Sequence, residues 1–101
     1  MKLKNKIRLL NELARESENP KEFIQHCMSL QNQSVNDIVE NIDMTAEHFY
    51  VALSNIANGG SIGIRVIVKI SKGLDIDPNI LNRLVADYNL KKHLNGVNQN
   101  N

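Results

Sequence analysis

Residue types that carry out acid–base, nucleophilic or metal chemistry occur in this chain but are poorly placed relative to one another. His26 and Cys27 are adjacent, so on a helix their side chains would point about 100° apart. No second Cys or His follows at the i+3 or i+4 spacing of a metal site. The other histidines, His48 and His93, are isolated in the sequence. The pattern predicts no enzymatic activity, no metal and no cofactor.

Two further segments that resemble chemical sites are explained by turns and helix ends. Residues 58–63 contain glycines but lack the Lys-Ser/Thr pair of a phosphate-binding loop, so we predict a flexible turn there. Asp75 and Asp77 flank a predicted helix start, where capping explains them better than acid–base catalysis.

One predicted helix, which Thr45 would cap, presents side chains that could hydrogen-bond a ligand. Its first turn and outward surface would consist of Ala46, Glu47, His48, Tyr50, Val51 and Ser54. Glu47 is a candidate acceptor for cytosine N4, His48 a candidate donor to guanine or a phosphate, and Tyr50 a candidate contact to a sugar or thymine methyl. The alternative is that Glu47 only stabilises the positive helix end, by roughly 0.3 to 1 kcal/mol, and that His48 and Tyr50 are ordinary surface residues.

Length and composition predict one small domain without covalent crosslinks. The chain has 101 residues, of which 42% are hydrophobic and 4% aromatic. A single cysteine excludes an intramolecular disulfide and is typical of a reducing compartment, so we expect a cytoplasmic protein. No apolar run approaches the roughly 18 to 20 residues that cross a bilayer, so we expect no membrane contact.

Apolar residues recur at helical spacing along almost the whole chain and predict an all-α fold of five to six helices. Residues 1–18 are predicted to form a first amphipathic helix with Leu3, Ile7, Leu10 and Ala14 on one face, and residues 19–90 the main domain. The polar segment 91–101 predicts disorder.

Capping residues and helix breakers predict where the helices begin and end. The predicted N-caps are Asn19, Ser34, Thr45, Ser61 and Asp77, with Pro20 and Pro78 at first helical positions. A left-handed Asp43 is expected to close the turn after the third helix, and Gly73 to end the fifth. The predicted core faces are Phe23, Ile24, Cys27, Met28 and Leu30; Val35, Ile38, Val39 and Ile42; Phe49, Leu53 and Ile56; Ile64, Ile67, Val68 and Ile70; and Ile80, Leu81, Leu84, Val85 and Tyr88, with Leu90 joining Tyr88 as an anchor of the last helix.

Two short predicted helices, Ser34 to Ile42 and Thr45 to Ile56, have the spacing of a helix-turn-helix, whose second helix enters the DNA major groove. The sequence NPKEFI at residues 19–24 resembles the start of the Xre-type, lambda-repressor-like domain of HigA-type antitoxins. SVNDIVENIDMTAEHFYVAL at residues 34–53 looks like its helix-turn-helix. GLDIDPNILNRLVADYNL at residues 73–90 is similar to its closing helix.

This resemblance covers residues 19–90 and implies a lambda-repressor-like domain with an extra N-terminal helix. It implies a homodimer that binds a double-stranded DNA operator upstream of its own gene, represses transcription, and acts as the antitoxin of a neighbouring toxin.

The DNA-binding residues that the pattern and the resemblance indicate are Ser34, Thr45, Ala46, Glu47, His48, Tyr50, Ser54 and Arg65. Arg65 lies where the family approaches the phosphate backbone, and free N–H groups at that helix start would bind the same phosphate; the alternative is a solvated surface arginine. Asn79, Asn82 and Arg83 are weaker candidates for the dimer interface.

The chain departs from the family pattern on its DNA-facing side. Val35 replaces the usual Gln after the capping serine, and Asp43 replaces the turn glycine. Residues 34–58 contain four acids and no Lys or Arg, and the loop that follows carries no cation. Because cations that neutralise phosphates supply much of DNA affinity, a second hypothesis stays open: a protein-interaction adaptor with a degenerate helix-turn-helix. The first helix would cover the domain's own core, a second subunit or a toxin.

Overall fold

The structure is a computed structural model that describes residues 3–17 and 19–99. Within these residues the chain forms six helices and no strand, which confirms the predicted all-α class. The helices are α1 (Leu3–Glu16), α2 (Pro20–Leu30), α3 (Val35–Val39), α4 (Ala46–Ala57), α5 (Ile64–Leu74) and α6 (Pro78–Gln99). Over the same residues, none of the helices has the length and apolar character that a membrane crossing requires.

Helix α2 is the central element of the core. It packs against α1, α4, α5 and α6, and its Phe23, Ile24 and Cys27 side chains are fully buried. Other helices contribute the fully buried side chains of Ile38, Phe49, Ile56, Ile70, Leu74 and Leu81. Helix α1 buries Leu10 in this core, so at least part of its apolar face covers the domain itself. The predicted positions of the Leu3 and Ile7 side chains lie outside what the structure describes.

Two predicted Asx–Pro helix starts are confirmed. The Asn19 side chain accepts a hydrogen bond of 2.8 Å from the Glu22 N–H, and Pro20 follows as the first residue of α2. The Asp77 carboxylate accepts one of 2.9 Å from the Asn79 N–H at the start of α6. A proline at the first helical position removes no intrahelical hydrogen bond, so both starts combine a cap with a preset backbone angle.

The turn between α3 and α4 is longer than the sequence predicts and is closed differently. Helix α3 ends at Val39, and Ile42 is buried from within the turn that follows. The Met44 N–H donates to the Ile42 carbonyl at 2.8 Å, which reverses the chain locally. Among the described residues, the non-glycine residues with positive φ are Asn32 and Asp75. Asp43 is not left-handed, so that prediction is wrong.

Helix α5 begins and ends at residues other than those predicted. It starts after Gly63 rather than after Ser61, and it continues through Gly73 until Asp75, with φ of 57°, closes it. A Cβ atom at position 73 would lie 2.5 Å from the Ile38 Cγ2 atom. Gly73 is therefore needed for the close approach of α3 to α5, and its role is not to stop the helix.

The connection between α2 and α3 docks onto the end of α5. The Gln31 Nε2 atom donates to the Leu74 carbonyl at 2.6 Å, and the Gln33 Nε2 atom donates to the Gly73 carbonyl at 3.1 Å. Carbonyls in the last turn of a helix lack intrahelical donors. These two amides supply donors and hold α3 and α5 in one arrangement.

Four apolar residues predicted to be buried are exposed: Leu30, Ile64, Val68 and Leu90. The buried face of α5 consists of Ile67, Ile70, Ser71, Gly73 and Leu74. Val68 lies one residue off this face, and Ile64 lies in the first turn of α5, away from the core contacts. Leu30 and Leu90 lie where α2 ends and where α6 extends past the core. Helical spacing predicts which side of a helix faces the core, but it does not show how far along the helix the packing against the core extends.

Helix α6 extends to Gln99, so the helix covers residues 91–99, where the sequence predicts disorder. No proline or glycine interrupts residues 79–95, and each residue added to an existing helix gains a backbone hydrogen bond. Leu90 and Leu94 are 59% and 54% exposed on this extension.

Candidate nucleic-acid interface

Helix α4 is held from behind by the core and from its start by a side-chain cap. Phe49, Leu53 and Ile56 are buried and fix the inner face, which packs against α2 and α3. The Thr45 hydroxyl accepts a hydrogen bond of 3.0 Å from the His48 N–H, which satisfies one of the unpaired donors of the first turn. The first turn of α4 is thereby fixed relative to the core.

The opposite face of α4 is open to solvent. Glu47, His48, Tyr50 and Ser54 are exposed there, whereas Ala46 is half-buried. The Tyr50 ring meets the Phe49 ring edge-on, with centroids 6.4 Å apart. These positions match the predicted outward surface; their role in binding stays a prediction.

Ser34, the other predicted contact before α4, belongs to a capping box at the start of α3. Its hydroxyl accepts from the Asp37 N–H at 3.2 Å, and the Asp37 carboxylate accepts from the Ser34 N–H at 2.8 Å. These hydrogen bonds, chiefly the one from the Ser34 backbone, lower the pKa of Asp37 below its usual value. The hydroxyl of Ser34 is exposed and keeps its own proton for donation.

One acid of the α3–α4 segment is paired with a cation from another helix. The Lys69 Nζ atom donates to the Asp43 carbonyl at 2.9 Å and lies 3.8 Å from its carboxylate. Lys69 is not among the site residues predicted from the sequence, although Arg65, Lys69 and Lys72 have the i, i+4, i+7 spacing that puts three cations on one face of α5. Of the three, Lys69 contacts the α3–α4 turn through Asp43.

The start of α5 lacks a side-chain cap. Gly63 occupies the N-cap position, and its carbonyl accepts from the Val66 and Ile67 N–H groups at 3.0 and 3.2 Å. The N–H groups of Ile64 and Arg65 precede the first intrahelical bonds and are available to an external acceptor. Together with the exposed Arg65 side chain they make this end of the helix electropositive.

Helix α6 fixes the connection between α4 and α5. The Tyr88 hydroxyl donates to the Ala57 carbonyl at 3.3 Å, and the Asn89 Nδ2 atom donates to the Gly59 carbonyl at 2.6 Å. Gly59 has φ of 78°, and a Cβ atom there would lie 2.6 Å from the Lys92 side chain. The connection is therefore held against α6 at Ala57 and Gly59; the flexibility of residues 58–63 stays a prediction.

An open groove of about 220 Å³ lies between the outer face of α4 and the start of α5. The residues that line it include His48, Val51, Asn55, Ser61, Ile62 and Gly63. The groove thus joins the predicted base-contacting helix to the uncapped helix start next to Arg65. Ser34 is not among its lining residues and lies at a separate helix start.

No metal site accompanies this groove: over residues 3–17 and 19–99, no group of three or more His, Cys, Asp and Glu side chains is placed to hold a metal ion. Comparison with known proteins finds no matching protein-family model, no matching curated protein and no matching solved structure.

Proposed function

We propose that this chain is a sequence-specific DNA-binding transcriptional regulator in which α3, the turn at residues 40–45 and α4 form a helix-turn-helix. The observation that carries the proposal is the construction of α4, whose inner face is anchored by Phe49 and Leu53 while its first turn and outer face are open. A helix of 12 residues is about 18 Å long, and its diameter of about 10 to 12 Å with side chains fits a major groove about 12 Å wide.

The exposed residues divide into base contacts and phosphate contacts. Glu47 and His48 lie in the first turn of α4, the part of a recognition helix that reaches base edges. Ser34 and Thr45 have exposed hydroxyls at helix starts, which suits donation to phosphate oxygens. Arg65 and the adjacent free N–H groups form the second phosphate contact. Tyr50 and Ser54 complete the outer surface.

A homodimer places two copies of α4 in successive major grooves, about 34 Å apart. The exposed Leu90 and Leu94 lie one turn apart on the extension of α6 and offer a stronger apolar contact to a second copy than Asn79, Asn82 or Arg83. Sedimentation of the wild type as a dimer and of Leu90→Ser as a monomer supports this arrangement. A wild-type monomer at all concentrations contradicts it.

The antitoxin role rests on the sequence resemblance of residues 19–24 and 73–90. It places the protein in the cytoplasm with a toxin encoded by a neighbouring gene as its partner. Co-expression of the two reading frames tests it: growth arrest by the neighbour alone, relieved by this chain, supports the role, and growth that is unaffected by the neighbour contradicts it.

The charge distribution favours a second candidate function, a protein-interaction adaptor with little DNA affinity. Glu40 and Glu47 are exposed, and residues 34–58 carry no Lys or Arg to offset them. The adaptor hypothesis predicts no electrophoretic retardation of the DNA upstream of the gene, even at low salt.

The deciding experiment measures binding to that upstream DNA and to duplexes selected from a random library. Substitution of Glu47 or His48 is expected to change the preferred sequence. Arg65→Ala is expected to weaken all sequences alike and to reduce the slope of log K against log salt by about 1. Lys21→Ala, which removes a cation of α2 outside the proposed DNA and dimer interfaces, is the matched control and leaves the slope unchanged. Unchanged binding in all three site variants contradicts the proposed interface.

A further inference from the structure

The groove beside α4 has apolar walls and polar ends. Val51 is 52% exposed and lines the groove together with Ile62 and Val66. The side chains of His48 and Asn55 lie along it and carry hydrogen-bond donors. Exposed apolar side chains beside donors at a surface of this kind are typical of a binding site for a group that is itself part apolar and part polar.

The charge around the groove indicates which class of ligand enters it. Gly63 belongs to the groove lining and is also the N-cap of α5, so the free N–H groups at the start of that helix lie at the groove's edge, and Arg65 follows two residues later on the same helix. A phosphate bound at this edge would bring a base toward the apolar walls. That base would belong to the same nucleotide or to the next nucleotide of the strand. A nucleic-acid strand therefore matches both parts of the surface.

We propose that the groove receives the C5-methyl group of a pyrimidine, and specifically of thymine, with Val51 as the residue that determines specificity; this inference rests on the proposed function. Thymine presents its methyl group next to the O4 acceptor on the major-groove edge. Val51 and Ile62 supply apolar contact to the methyl group, and His48 supplies a donor to O4.

Thymine is favoured over 5-methylcytosine, which carries the same methyl group. The amino group of cytosine requires an acceptor, and no carboxylate is among the described residues that line the groove; Asn55 and Ser61 offer only neutral oxygens, which are weaker acceptors. The two bases are distinguished directly in the test.

The experiment uses the full chain and a duplex that the wild-type protein selects from a random library. Each thymine is replaced singly by deoxyuridine, which removes only the methyl group. At one position in each half-site we expect the replacement to lower the affinity of the wild-type protein about fourfold. This is the effect expected when one apolar carbon is no longer buried from water. Val51→Ala is expected to abolish this difference between thymine and uracil.

Val68→Ala is the matched control, because Val68 is 45% exposed on α5 and lies outside the groove lining. It should retain the fourfold preference for thymine. At the same position, duplexes with C·G and 5-methylC·G should both bind less tightly than T·A; tighter binding of 5-methylC·G overturns the assignment to thymine. Circular dichroism of each variant verifies that α4 remains folded.

Two negative results have different meanings. If selection returns no duplex that binds above background, both the proposed function and this inference are overturned. If duplexes are selected but no uracil replacement changes the affinity, or Val51→Ala retains the difference, the inference is overturned while the regulator proposal stands.

Discussion

The starts of α4 and α5 border the same groove but are built in opposite ways. At α4 the Thr45 hydroxyl satisfies the His48 N–H, and Phe49 anchors the first turn in the core. At α5 the cap is Gly63, which has no side chain to bond, and the first helical residue, Ile64, is 60% exposed. A helix start that satisfies its own donors stabilises the fold, whereas one that leaves them free has donors for a ligand.

The largest difference between the two starts should appear in stability. Phe49→Ala removes a fully buried ring and is expected to lower the free energy of unfolding by about 3 to 5 kcal/mol. Ile64→Ala removes an exposed side chain and is expected to change it by less than about 0.5 kcal/mol. Urea denaturation followed by circular dichroism measures both. Similar losses in the two variants would show that the starts are equally anchored.

Gly63→Asp should separate stability from DNA affinity. The backbone φ at this position is −64°, and a Cβ atom there meets nothing within 4 Å, so the side chain fits without strain. Aspartate caps α5 and should stabilise the protein by about 1 kcal/mol relative to Gly63→Ala. Its charge repels a phosphate, so DNA affinity should fall by about tenfold while Gly63→Ala stays near wild type. Equal affinities of the two variants would remove the start of α5 from the interface.

Thr45→Ala tests the cap of α4 alone. Loss of the hydrogen bond to the His48 N–H is expected to cost about 1 kcal/mol of stability. Thr45→Ser keeps the hydroxyl and should restore most of that difference. If alanine and serine are equally stable, the hydroxyl does not cap the helix in solution.

The smallest effect concerns the capping box at the start of α3. The folded protein lowers the pKa of Asp37 below 3.8, so the stability that its carboxylate contributes is present above that pH and is lost as the pH falls through the lower folded value. Denaturation midpoints measured from pH 5 downward should fall less steeply in Asp37→Asn than in the wild type. An equally steep fall in the two proteins would show that the Asp37 carboxylate does not stabilise the folded state.

The sequence predicts those parts of the fold that depend on neighbours along the chain. The caps at Asn19, Ser34 and Thr45 each bond a residue three positions ahead, so their spacing is visible directly. The sequence predicts a helix stop at Gly73 because the contact that explains this glycine, Ile38, is distant along the chain. The end of α6 was placed too early because polar composition alone does not stop a helix.

The same distinction applies to the candidate site. The outward face of α4 follows from helical periodicity, but the groove requires knowledge of where Ile62 and Gly63 lie relative to Val51. The contact from Lys69 to Asp43 joins residues 26 positions apart and changes the charge of the turn. No local pattern predicts such a pairing, although the regular spacing of cations along α5 marks the helix that provides it.

The attachment of α6 to the α4–α5 connection links two surfaces that are far apart in sequence. Tyr88 and Asn89 hold that connection, and Leu90, on the proposed subunit contact, is the next residue of the same stiff helix. A tilt of α6 therefore also moves the α4–α5 connection at Gly59. In the proposed dimer, a change in how the two copies pair would therefore reach the connection that leads to the groove through a single turn of α6.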